Sequence, residues 1–220
     1  MKPAAHAPDI LPPPILAAVR AMTGRVWLGR GRSAGGSIAL LSARSGEGRT
    51  TLALALSAVL AELPEREPVL LVDCDFHQPG VDRQLSLSRA PGLVEVLRGE
   101  LALAKAVQPT GIPNLSALPA GECDEAATRL LAPPMLADLL EHARATYRAV
   151  VLDTTAAADS SSGLIAASQA DRALLLVQAN RTSWREVAAI RDELTAAGDK
   201  LLGVILNRHE DFLPRFLRGA

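Results

Sequence analysis

Aromatic side chains are scarce in this sequence, 3% of 220 residues, and only one of them is a tyrosine, Tyr147. Lysine is scarce too, since 20 of the 23 basic residues are arginine, a bias that suggests a GC-rich bacterial genome. The two cysteines, Cys74 and Cys123, lie far apart and form no C-x-x-C pair. That spacing indicates neither a disulfide framework nor a zinc site and makes a reducing cytoplasm the natural compartment. A formal net charge of -1 leaves no global basic field for nucleic acid. No apolar run reaches membrane-spanning length, and Met1 to Pro14 lacks the charged-then-apolar pattern of a signal peptide. Any membrane association is therefore expected to be peripheral or through a partner. His6, His77, His142 and His209 have no metal-ligand spacing and read as solvated or capping groups.

What the chain has instead is aliphatic content: 49% of it is hydrophobic, dominated by alanine and leucine, enough for one well-cored domain. Residues 1–36 read as an extended arm and a short helix, Ile15 to Trp27, that carries Leu16, Val19 and Val26. Gly29 to Gly36 reads as a linker, with Arg25, Arg30 and Arg32 solvated around Trp27. Residues 37–220 form the domain. Its β runs are Ile38–Leu41, Val69–Val72, Leu115–Leu118, Ala149–Leu152, Ala173–Gln178 and Leu202–Leu206. Helices are predicted at Thr51–Leu63, Gly92–Arg98, Leu101–Ala106, Pro133–Ala145, Ser161–Ala167 and Ser183–Ala197, the last stopped by Gly198. Strands that are aliphatic throughout belong to a parallel sheet buried on both faces. The predicted fold class is α/β, a doubly wound, mostly parallel sheet flanked by helices.

Ser42 to Thr51 reads Ser-Ala-Arg-Ser-Gly-Glu-Gly-Arg-Thr-Thr between an apolar run and a helix, which is the layout of a phosphate-binding loop. Gly46 and Gly48 allow the backbone to turn its N–H groups onto a phosphate, and the helix N-terminus adds partial positive charge. Ser45, Gly46, Glu47, Gly48, Arg49, Thr50 and Thr51 are the candidate nucleotide-binding residues, with the Thr50 hydroxyl as a ligand for Mg²⁺. Arg49 stands where such loops carry lysine. It keeps the charge, but it is longer and planar and cannot act as the compact ammonium that reaches between β- and γ-phosphates. ATP or ADP with Mg²⁺ is the cofactor this pattern predicts, with binding weak or lost.

Two buried runs end in acids, Val69–Val72 before Asp73-Cys74-Asp75 and Ala149–Leu152 before Asp153-Thr154-Thr155. Carboxylates at the C-terminal ends of strands sit where open α/β sheets bind ligands. Each is also a common turn or capping residue. With Thr50, Asp73 and Asp153 can supply the oxygens that Mg²⁺ requires.

These motifs, in this order, resemble the bacterial tyrosine kinases of capsule and exopolysaccharide synthesis, cytoplasmic P-loop proteins related to the MinD and ParA ATPases. The family's loop Ser-x-x-Pro-Gly-Glu-Gly-Lys is matched by Ser42 to Arg49, with Ser45 for proline and Arg49 for lysine. Its Asp-x-Asp-x-Arg motif is matched by Asp73 and Asp75 with His77 for arginine, and its Asp-Thr-Pro-Pro by Asp153 and Thr154, with Thr155 and Ala156 for the prolines. Pro91-Gly92-Leu93, Leu118-Pro119-Ala120-Gly121, Ala170-Asp171-Arg172 and Gly203 to Arg208 extend the resemblance over roughly Ser37 to Arg218. It implies Asp73, Asp75 and Arg49 as catalytic groups, with Asp73 activating a tyrosine hydroxyl. Thr50, Asp73, Asp75 and Asp153 become the implied metal set, and Asn207 the adenine reader. The family's subunit-packing helix would run from Ala17 through Arg20 to Thr23, keeping one of its charges, so self-association is an open expectation.

Family members phosphorylate a tyrosine-rich C-terminal tail, whereas this chain ends Leu213-Pro214-Arg215-Phe216-Leu217-Arg218-Gly219-Ala220, and Tyr147 precedes a strand, where it is expected to pack. The resemblance therefore implies a degenerate autokinase. Its partner would be the cytoplasmic tail of an integral-membrane polysaccharide co-polymerase, and its place would be cytoplasmic, peripheral to the inner membrane through that partner. Two alternatives stay open. One is an active ATPase of the MinD/ParA class, with Arg44 at that class's early-lysine position and an amphipathic anchor of Phe212, Leu213, Phe216 and Leu217 beside Arg215 and Arg218. The other is a functional protein-tyrosine kinase acting on other proteins.

Overall fold

The computed structural model describes residues 10–28, 36–63 and 68–208, with backbone alone over 24–28. The first nine residues, the linker 29–35, the side chains of Arg25 and Trp27, His209 and the segment from Phe212 to Arg218 lie outside the described residues.

Aliphatic runs without a polar face are expected to be buried between two layers, and that is where they lie except in the last, the edge run Leu202–Leu206, whose Leu202, Val204 and Leu206 are exposed on one face because the strand lies at the edge of the sheet. Strands β1 (Gly36–Ser42), β2 (Val69–Cys74), β3 (Gln108–Pro109), β4 (Leu115–Leu118), β5 (Ala149–Thr154), β6 (Arg172–Gln178) and β7 (Leu201–Asn207) form one sheet in the order β3-β4-β2-β5-β1-β6-β7. Every pair is parallel except β3 on β4. The helices are α1 (Pro13–Leu28), α2 (Arg49–Ala61), α3 (Val81–Leu85), α4 (Leu93–Leu97), α5 (Leu103–Ala106), α6 (Met135–Arg144), α7 (Ser162–Gln169) and α8 (Trp184–Ala196), with a 3-10 turn at Ala127–Leu131. Alternate side chains of β1 divide the core. Ile38 and Leu40 pack toward α1 and α2, whereas Ala39 and Leu41 pack with α4, α6, α7 and α8. Helix α2 is buried on nearly every side because α1 covers the face turned away from the sheet, with Leu16 and Val19 in the same apolar cluster. Each leucine so buried contributes about 1.5–3 kcal/mol.

The expected sheet and helices are present with shifted ends. The strands run past the aliphatic runs, β2 through Cys74 and β5 through Thr154. Helix α2 starts at Arg49 rather than Thr51, immediately after Gly48 in the left-handed region at φ +97°. Gly198, at φ +108°, follows the end of α8. Helix α3, strand β3 and the 3-10 turn are additions the sequence reading did not include. Among the described residues no helix is long and apolar enough to cross a membrane.

Register places the acids. Asp73 on β2 pairs with Asp153 on β5, and Asp153 with Leu40 on β1. The C-terminal ends of these three neighbouring strands therefore bring both carboxylates beneath the loop that follows β1.

Candidate functional site

The loop after β1 turns on Gly46 and Gly48, at φ +78° and +97°. Gly48 is required twice over, since a Cβ there would sit 2.9 Å from Asn207 Nδ2. Glu47 is fully buried and anchors the turn. Its Oε2 accepts from the Arg44 N–H at 3.0 Å, and its Oε1 from the Gln178 N–H at 3.2 Å and from the Thr182 hydroxyl. Asn207 Nδ2 donates to the Glu47 carbonyl at 2.7 Å, so the residue expected to read adenine also holds the loop's backbone. Ser45 Oγ donates to Asp159. Arg44 lies on the outside, where its Nε donates to Glu186 Oε1 at 2.7 Å. That bond, followed by those from Ser183, holds the Glu186 carboxyl down at about 2. Glu186 in turn closes the capping box of α8 with Ser183.

The loop overhangs a cavity of about 340 Å³ whose walls include Gly46, Gly48, Thr50, Asp75, Gln78 and Arg83. On the other side of Asn207, between α1 and β7, lies a more apolar cavity of about 470 Å³ lined by Ile15, Met22, Leu176 and Ile205. The two cavities share Gly48 and Thr51, so a polar hollow under the loop opens beside an apolar slot.

Beneath the loop the charges are already matched. Arg49 is 7% exposed and turns down into the sheet. Its Nη2 donates to Asp75 Oδ2 at 2.5 Å, its Nε to Asp153 Oδ1 at 3.0 Å and its Nη1 to Ser42 Oγ at 2.8 Å. The remaining oxygen of Asp75 accepts from the His77 and Gln78 N–H groups at 3.2 and 3.0 Å and from the Thr155 hydroxyl at 3.2 Å. Burial raises the Asp153 pKa against the opposing pull of Arg49 and the Thr50 hydroxyl, and its Oδ2 has no hydrogen-bond partner. Asp73 stands apart from the guanidinium. Its Oδ1 accepts from Asp75 N–H at 3.1 Å, and its Oδ2 from the Gly80 and Val81 N–H groups at 3.0 Å each, which fixes the start of α3. Burial, and then the charge of Asp153 across the strand pair, pushes the Asp73 carboxyl up to about 8. Two like charges in register on neighbouring strands disfavour ionisation of both.

The site thus brings together Ser45, Gly46, Gly48, Arg49, Thr50, Thr51 and Asp75 around the cavity, while Asp73 and Asp153 are fully buried behind it. The residues present do not fit Mg²⁺ in this arrangement. Both oxygens of Asp75 and one of Asp153 are committed to donors, chiefly the Arg49 guanidinium, which occupies the place between them that an ion would take. Sequence reasoning missed Ser42 and Thr155 as partners of the buried charges, and Gln178, Thr182 and Glu186 as anchors of the loop. Ser42 and Thr155, each inside a quoted motif, carried a signal that could have found them. Tyr147 packs half-buried against the core, and burial raises its pKa against the lowering effect of nearby Ser116.

No family model matches the chain. It is 34% identical over 174 residues to the succinoglycan biosynthesis transport protein ExoP of Rhizobium meliloti (strain 1021), which covers 78% of this chain and 22% of that one. With tyrosine-protein kinase YwqD of Bacillus subtilis (strain 168) the identity is 30% over 171 residues, 78% of this chain and 71% of that one. The chain therefore spans less than a quarter of the first relative and most of the second. Among solved structures, the kinase domain of VpsO superposes with a TM-score of 0.77 at 29% identity, covering 89% of this chain and 96% of the other. The septum site-determining protein MinD complexed with Mg-ADP, from Pyrococcus horikoshii OT3, superposes with a TM-score of 0.69 at 26% identity, covering 80% and 71%.

Proposed function

Because this chain belongs to the bacterial tyrosine kinases of capsule and exopolysaccharide synthesis, P-loop proteins built on the MinD fold, we propose that it serves such synthesis as a kinase-like regulator with little or no phosphoryl transfer of its own. The observation that carries this reading is the direction of Arg49. Phosphoryl transfer depends on positioned charge over the transferred group, and the loop's basic side chain is instead spent on Asp75 and Asp153 beneath it. Tyr147, the tyrosine of this sequence, is packed rather than presented. The partner in this reading is the cytoplasmic tail of a membrane polysaccharide co-polymerase, docked around the loop and the Asp73/Asp75 turn, with Phe216, which lies outside the described residues, as a candidate anchor.

Mg-ATP titration and turnover of the purified chain test the first half: hydrolysis at the rate of an active P-loop ATPase overturns it, and so does high-occupancy phosphate on Tyr147. Arg49→Lys is expected to tighten nucleotide binding. Pull-down against co-polymerase tails tests the second half, with capture expected and weakened by Phe216→Ala. Absence of capture, together with normal polymer output in a deletion strain, removes the partner.

A further inference from the structure

In a nucleotide site the carboxylates at the ends of β2 and β5 gather around a divalent cation, and a metal there needs oxygens that are free to turn toward it. Here those oxygens already surround a cation. The Arg49 fork places one N–H on each of Asp75 Oδ2, Asp153 Oδ1 and Ser42 Oγ, and a guanidinium has five N–H groups in a fixed plane. The guanidinium therefore bridges an acid on β5, one just past the end of β2 and the hydroxyl at the end of β1, as an ion would, while its own backbone begins α2 at the base of the loop. Asp153 keeps one buried, unpartnered oxygen, Oδ2, behind the fork. A second cation brought to these carboxylates would meet the first at contact distance.

We propose that Arg49 is a tethered replacement for the divalent metal, so that any phosphate the loop accepts is accepted without one. The positive charge at the base of the loop is tethered to the chain and, unlike a bound ion, cannot dissociate from it. Its two remaining N–H groups, the backbone of the glycine turn and Arg83 across the cavity are what an anion would meet. Removing the guanidinium would leave Asp75 Oδ2 and both oxygens of Asp153 without a cation, close to the Thr50 hydroxyl, which is a set a divalent ion can use.

This shares one residue with the regulatory reading above but not its assay, so metal uptake and partner docking can fail independently. The test is Mn²⁺ binding to the purified full chain, followed by paramagnetic resonance, with melting temperature recorded in Mg²⁺ and in a chelator. The wild type is expected to hold no saturable Mn²⁺ and to melt at the same temperature in both buffers. Its affinity for ATP, whatever its strength, should be unchanged by the chelator. Arg49→Ala is expected to take up one Mn²⁺ per chain and to be stabilised by Mg²⁺, and the added change Asp75→Asn should abolish that uptake. Stoichiometric Mn²⁺ on the wild type that Asp75→Asn removes would overturn the proposal. So would a wild-type ATP affinity that needs Mg²⁺, or a folded Arg49→Ala that binds no metal. Should Arg49→Ala not fold, the wild-type titrations decide alone.

Discussion

Two arginines five positions apart serve the same loop from opposite sides. Arg44 is 46% exposed and meets Glu186 at 2.7 Å, whereas Arg49 is 7% exposed and meets Asp75 and Asp153 at 2.5 and 3.0 Å. The distances barely separate them, but the surroundings do. Outside, water screens the pair and competes for both partners, so its formation adds little to the fold. Inside, each member has lost its hydration and depends on the others, and deleting one leaves an uncompensated charge. Position relative to solvent, rather than contact length, decides which arginine the molecule depends on.

The comparison is broken most directly at Arg49. Its replacement by alanine should cost about 3–5 kcal/mol in urea unfolding without divalent metal, the usual effect of stripping one partner from a buried ionic cluster. Arg49→Lys should cost less, because an ammonium can keep one carboxylate but not three separated acceptors. Glu47→Gln comes next. It keeps the shape of a buried acid that is held by N–H and O–H donors and turns one acceptor into a donor, at a cost of about 1–3 kcal/mol by the same measurement. An increase in stability would show that the inner charges are merely tolerated.

Glu95 sharpens the comparison from the far side of the sheet. Burial works against its charge, but the N–H groups of Glu122 and Gly92 outweigh it and keep its pKa below the ordinary 4.5. A depressed carboxylate contributes stability that is complete above its unfolded pKa and lost as pH falls through the folded one. Acid unfolding of Glu95→Gln should accordingly be shallower below pH 4.5 than that of the wild type, with a loss at neutral pH of about 1 kcal/mol. Arg44→Ala should be the quietest change, with a denaturation midpoint indistinguishable from wild type in physiological salt. A clear drop there would mean that α8 relies on the outer pair.

The sheet was legible because burial on both faces writes itself as uninterrupted Leu, Val and Ala, and the runs at Val69 and Ala149 needed no partner to be recognised. Strand β3 was not, since Gln108 and Pro109 pair only because β4 lies beside them. Helix α3 was hidden for a similar reason: its start is held by Asp73, several positions earlier, through the Gly80 and Val81 N–H groups. At the site, spacing brought Arg49, Asp75 and Asp153 to one end of the sheet but gave no direction for a long side chain. Whether an arginine in this position reaches over the loop or dives beneath it depends on the register that pairs Asp73 with Asp153, a relation between residues 80 positions apart.

Asn207 closes the last paired position of β7, opposite Gln178 on β6, and both residues hold Glu47, one through its carbonyl and one through its carboxylate. The glycine turn is thus moored at its far side to the last two strands at one edge of the sheet as well as sprung from β1. In mechanical terms it is a beam supported at two ends. The turn and the ends of β6 and β7 are thus joined by a couple of hydrogen bonds rather than by packing through the core.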